Sequence, residues 1–217
     1  MPGVFHKPDD HATLFGELAA LCRGGRKLAD GRAVATPSGL AALDAALPEG
    51  GWPRGAITEL IPDACGIGEI GLLLPALAAL SQAGQPLAWI APPYLPGAQG
   101  LAQGGIELMQ LLLVAARDDR EVLWAAEQAL RCSGLGAVLL WPAAPTDRSV
   151  RRLQLAAEAS GAIGFLFRPP AAAAAPSPAA LRLRLHPRRE GLEVRIIKAR
   201  GGRPHALVVH PAAATGG

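Results

Sequence analysis

The sequence predicts an α/β domain: a mostly parallel β-sheet flanked by helices, closed by a C-terminal antiparallel hairpin. Three observations predict it. Short, mostly apolar runs recur between residues 56 and 167. Segments with helical periodicity, about 10–15 residues long, separate them, and that alternation builds βαβ units. After residue 180 the pattern changes to polar/apolar alternation on both sides of an Arg-Arg-Glu-Gly turn.

The elements follow in chain order. In "HATLFGELAALCR" (11–23), Leu14, Leu18, Leu21 and Cys22 fall at helical intervals, with Gly24-Gly25 as a stop. Residues 1–33 are therefore expected to be an N-terminal helix and linker, 34–211 the core domain, and 212–217 a disordered tail. "TPSGLAALDAALPEGGWPRGAITEL" (36–60) holds a short helix, a Gly/Pro turn and a strand at 56–61. The loop 62–71 leads into a helix at about 70–83 that ends near Gly84. "PLAWIAP" (86–92), "QLLLVAA" (110–116), "GAVLLWP" (136–142) and "AIGFLF" (162–167) read as strands. Residues 118–134 and 146–161 read as helices. Asp118 and Asp119 stand at the positive end of the first, and Thr146 or Asp147 caps the second. "RPPAAAAAPSPAA" (168–180) is of low complexity and is expected to be a flexible surface loop. "LRLRLHP" and "GLEVRIIKAR" alternate around Arg188-Arg189-Glu190-Gly191, as an antiparallel hairpin on the sheet edge would.

Composition narrows the class. The 217 residues are 50% hydrophobic with a mean hydropathy of +0.25, yet only 4% are aromatic, so small side chains build the core. The charged fraction, 18%, is below the usual ~25%, which leaves weakly charged surface of the kind partners cover. No run reaches the ~18 uncharged residues a membrane helix needs, and Met1 to Asp10 lacks an apolar signal core. Cys22, Cys65 and Cys132 form no CxxC pair and read as reduced thiols of a cytoplasmic protein. The five histidines show no metal-ligand spacing. Net charge is +3, unevenly spread. Residues 1–147 carry 9 Lys/Arg against 15 Asp/Glu (−6), and residues 148–217 carry 12 against 3 (+9). A basic C-terminal third suits a polyanion or an acidic protein surface.

"IPDACGIGEIG" (61–71) sits between a strand and a helix, where a phosphate loop belongs. Such a loop needs G-x-x-x-x-G-K-[S/T]: backbone amides cradle phosphates, Lys binds the outer oxygens, and Ser/Thr holds magnesium. With Gly66 as the second glycine, Ile61 stands at the first, Ile67 at the Lys and Gly68 at the Ser/Thr position. Glu69 then brings a negative charge to the helix start. A structural turn that uses glycine for backbone freedom fits this better than a nucleotide site. The strands that could carry a catalytic carboxylate end in Ala91-Pro92-Pro93 and Trp141-Pro142, and no Gly-x-Ser-x-Gly elbow is present. No catalytic residue, cofactor or metal is expected.

Residues 36–66 resemble the opening of the RecA recombinase core. Leu40 to Leu47 matches its short "LDxAL" helix, and Gly50-Gly51-Trp52-Pro53-Arg54-Gly55-Ala56-Ile57-Thr58-Glu59-Leu60 its "GGxPxGxIxEI" turn and strand. "VRIIKARGGRP" (194–204) is similar to its late "VxVxKNK" strand. The resemblance covers roughly residues 34–204 and implies a RecA-like core without a functional phosphate loop. Length, missing site and the "KARGGRP" ending are similar to the ImuA family of RecA-like accessory proteins. That resemblance implies a non-catalytic part in damage-induced translesion synthesis. The implied partners are RecA, an ImuB-type inactive Y-family polymerase and, through the complex, an error-prone replicative-type polymerase. SulA-type division inhibitors belong to the same site-less group and give one alternative; a degenerate ATP-binding switch is another.

Function is then expected on surfaces. Arg182 and Arg184 share a strand face, Arg188 and Arg189 sit at the turn, and Arg195, Lys198, Arg200 and Arg203 follow. They read as a contact surface for single-stranded DNA or an acidic partner, or else as a charged guard on a solvated sheet edge. The hairpin lacks interleaved aromatics, which favours protein over DNA. Arg148, Arg151 and Arg152 lie in a first helical turn, where the dipole disfavours cations, so a partner is plausible there as well. Trp52, in a Gly/Pro turn, is a candidate interface anchor. The RecA resemblance makes Leu14, Leu18 and Leu21 candidate docking residues.

Overall fold

The computed structural model describes residues 34–202 and 204–211, together with the backbone of 5–6. The expected helix 11–23 with Leu14, Leu18 and Leu21, the residue Arg203 and the tail 212–217 lie outside the described residues.

The strands are β1 (Phe5–His6), β2 (Ala35–Thr36), β3 (Trp52–Pro53), β4 (Ala56–Pro62), β5 (Leu87–Ile90), β6 (Leu111–Val114), β7 (Ala137–Leu140), β8 (Ile163–Phe167), β9 (Leu181–Arg188), β10 (Gly191–Ala199) and β11 (His205–Val209). The helices are α1 (Ala41–Ala46), α2 (Glu69–Gln82), α3 (Ala98–Gln103), α4 (Asp119–Arg131) and α5 (Asp147–Ser160). Among the described residues nine strands form one sheet, in the order β1-β6-β5-β7-β8-β4-β9-β10-β11. Pairing is parallel from β1 across to β9 and antiparallel for β9–β10 and β10–β11, so the sheet is mixed. β2 and β3 form a separate antiparallel pair. No helix among the described residues is long and apolar enough to cross a membrane.

The central strands are buried on both faces, which is why they read as continuous apolar runs. On one face α1 and α2 pack on Leu60, Trp89, Leu139, Phe165, Leu183 and Val194. Trp52 meets Phe165 edge-on at 5.3 Å, and Trp141 stacks on Phe167 at 4.4 Å. On the other face α4 and α5 press Val122, Ala126, Ala129, Val150, Leu153 and Ala157 onto Ile57, Ile90, Val138 and Leu166. The alanines let these helices lie close to the sheet, so the core needs few aromatics. Caps fix both helix starts: Asp118 accepts from the Glu121 N–H at 2.9 Å, and Thr146 from Ser149 at 3.2 Å.

Two segments depart from expectation. β11 extends the sheet by one strand beyond the hairpin. The alanine-rich stretch is not a loose surface loop: it contains a 3-10 helix, Pro170–Ala174, and buries Ala172, Ala179 and Ala180.

Candidate functional site

The loop after β4 is built by two residues with left-handed backbone, Gly66 (φ +81°) and Gly68 (φ +104°). A side chain at either position would be strained. Gly68 begins α2, and Glu69 occupies the first helical position. Its carboxylate folds back, and Oε1 accepts the Gly66 N–H at 2.8 Å. Glu69 is 8% exposed. The anion held by this glycine-rich turn is therefore the chain's own carboxylate. Ile67 packs against the core beneath the turn, and Ile61 is fully buried in β4.

The basic hairpin divides into a buried and an exposed part. Glu59 of β4 lies in register with Arg182 of β9, and both are enclosed. Arg182 Nε donates to Glu59 Oε2 at 2.7 Å, and its two terminal nitrogens donate to the Ala175 and Ala172 carbonyls at 2.8 and 2.7 Å. Arg168 pairs with Glu59 Oε1 at 3.2 Å, and the Ser177 hydroxyl bonds the same oxygen. Lys198 donates to the Ser177 carbonyl at 2.7 Å. Burial, reinforced by Arg182, pushes the Lys198 ammonium below its usual pKa. This network fastens the 168–180 segment over the sheet. It also removes Arg182, at 5% exposure, from the expected contact surface. An arginine that must satisfy a buried carboxylate is unavailable to a partner.

Further along the same face Arg184 pairs with Asp63 at 3.1 Å, and His186 bonds the other oxygen of Asp63. Arg188 and Arg195 both hold Glu193, at 2.7 and 3.1 Å. His186 first, then Arg184, keeps the Asp63 carboxyl below its usual pKa; Arg188 and then Arg195 do the same for Glu193. These side chains line a shallow cleft of about 200 Å³. Three guanidiniums therefore face two carboxylates, a far smaller surplus than the sequence count suggests. Arg189, at the turn, and Arg200 are exposed.

The remaining candidates separate. Arg148 and Arg151 are exposed on α5, whereas Arg152 reaches Glu127 of α4, which also binds Arg131 at 2.7 Å. Trp52 is not a surface anchor. It is 0% exposed inside the core, because the Gly/Pro turn folds back as β3 under α1. Glu59, which organises the buried network, escaped the sequence reading. The available signal was a lone glutamate inside the apolar strand "AITELIP" and a lone arginine between leucines in "LRL".

Comparison with known proteins agrees with this geometry. The family model described as "Cell division inhibitor SulA" matches residues 55–164, which run from β4 through α4 and α5 into β8. The chain is 29% identical over 119 residues to the cell division inhibitor SulA of Serratia marcescens, covering 55% of this chain and 71% of that protein. It is 31% identical over 133 residues to protein ImuA of Caulobacter vibrioides, covering 58% of this chain and 53% of that protein. It thus spans about half the length of that ImuA relative. With its family model matched across half its length and ImuA among its relatives, the chain belongs to the SulA family, as an ImuA/SulA-related protein.

Proposed function

We propose that this chain is a non-catalytic adaptor with a RecA-like core that supports error-prone translesion synthesis in the SOS response, working through protein contacts. The observation that carries the proposal is the bond from the Gly66 N–H to Glu69 Oε1. A phosphate entering this turn would have to displace a buried carboxylate and then lie beside its negative charge. The order of the central strands, with β4 leading through the glycine turn into α2, supports the RecA-like reading. The similarity to ImuA supports RecA and an ImuB-type polymerase as partners, with a replicative-type polymerase reached through the complex. The exposed Arg184, Arg188, Arg189 and Arg195 are the surface offered to an acidic partner or to single-stranded DNA.

A pull-down with RecA and with an ImuB-type protein tests this, repeated with Arg184, Arg188 and Arg189 changed to Glu. Wild type is expected to retain at least one partner and the variant to lose it. ATP turnover abolished by Gly66→Asp would refute the non-catalytic reading. The match to the SulA model favours a second reading, a division inhibitor. Filamentous cells on overexpression, with no partner recovered in the pull-down, would select it.

A further inference from the structure

A cavity of about 820 Å³ opens at the carboxyl ends of β4, β5 and β7, beside the closed glycine turn. In parallel α/β sheets this is the end at which ligands bind. Its walls are mostly apolar, with Trp89, Trp141, Ile70 and Leu74 among them. Among the described lining residues Glu69 is the one side chain with a full charge at neutral pH. Its Oε1 is engaged by Gly66, but Oε2 is enclosed and accepts no hydrogen bond. On the same wall Trp89, 2% exposed, has an indole N–H that donates to nothing. Buried polar groups are rarely left without partners, and these two border one cavity.

The rim says what kind of ligand fits. Tyr94 and Leu95 stand 75% and 67% exposed on the loop after β5. A small molecule filling the cavity would leave both in water, whereas a peptide crossing the rim would cover them while inserting a side chain. The lone carboxylate sets the charge: an anionic ligand is repelled and a cationic one attracted.

We propose that this cavity docks a peptide segment of a partner protein, which inserts an aromatic or long aliphatic side chain and presents a neighbouring Lys or Arg toward Glu69. The proposal rests on the turn being closed to nucleotide, and not on which protein supplies the segment. Peptides selected on the intact chain from a random phage-displayed dodecapeptide library are the probe. They are expected to carry a Lys or Arg beside an apolar anchor. Leu95→Asp, or Tyr94→Ser should that variant misfold, is expected to weaken them about tenfold or more. Leu155→Asp changes a comparably exposed leucine (60%) on α5 and is expected to have no effect. Glu69→Gln is expected to abolish the preference for a selected peptide over its copy with Glu in place of the cation. The proposal is overturned if selection yields acidic peptides or none that respond to the rim variants. It is also overturned if N-acetyltryptophanamide binds as tightly as the peptides, which would assign the cavity to a small apolar molecule. Retained binding of RecA or the ImuB-type protein alongside such a result would sink this proposal and leave the adaptor reading standing.

Discussion

Glu59→Gln tests the buried network that fastens the 168–180 segment. Glu59 is 0% exposed and accepts from Arg182 at 2.7 Å, from Arg168 at 3.2 Å and from Ser177. Removing one partner of a buried ion pair costs about 3–5 kcal/mol, because the other charge is left desolvated. Gln keeps the shape and one acceptor oxygen, so a loss of about 3 kcal/mol is expected. That is a large part of a total near 5–15 kcal/mol, yet the variant still folds. Urea unfolding followed by tryptophan fluorescence reads the loss as a lower midpoint at unchanged slope. Burial shields the pair from salt, so the loss is expected to persist in 1 M NaCl. Proteolysis between residues 170 and 180 is expected to quicken. Exchanging both partners, Glu59→Leu with Arg182→Met, is expected to cost far less. A loss below about 1 kcal/mol, or one that disappears in salt, is what an exposed pair gives, and it would refute the buried network.

Three further outcomes are expected. Trp52→Ala empties a fully buried site against Phe165 and should cost about 3–5 kcal/mol by urea unfolding; a surface anchor would cost a few tenths. Gly68→Thr, which restores a phosphate-loop residue type, places a β-branched side chain at φ +104° and should destabilise by about 1–3 kcal/mol in the same assay without creating ATP hydrolysis. Asp63 and Glu193 have folded pKa values held below 3.8 and 4.5, so each stabilises the fold above its unfolded value and loses that effect as pH falls through the lowered folded one. Melting temperature should therefore drop on acidification below about pH 4, and Asp63→Asn should flatten part of the drop; parallel acid profiles for the two proteins would contradict this.

Much of the fold was legible because the central strands have no wet face. "LAWI", "LLLV" and "AVLL" announce themselves by composition, and Gly84 and Gly161 mark helix ends. What was missed lacks a local signal. α3, "AQGLAQ", contains a glycine and has poor helical propensity; it forms where Gly104 passes close over Leu74, a contact that sequence spacing does not reveal. β11, "HALVV", follows a Gly-Gly-x-Pro break and reads as a tail until β10 is there to pair with it. At the candidate site the failed phosphate-loop positions were plain from residue type, but Glu69 as the turn's internal anion required its side-chain direction. Alternation rightly put Arg182 and Arg184 on one face. It could not show that a segment with no charges of its own covers the first and leaves the second open.

The register of Glu59 against Arg182 also sets a clock for synthesis. The partners are 123 residues apart, and β9 is the strand that completes β4 on that side. At about 5–20 residues per second the ribosome needs roughly 6–25 s to bring the second after the first. Through that interval the nascent chain carries an unpaired strand edge and an uncompensated carboxylate in its future interior. The central sheet can therefore settle only once the last third of the protein has left the ribosome, and a chain stalled before Arg182 would expose an adhesive edge to its neighbours.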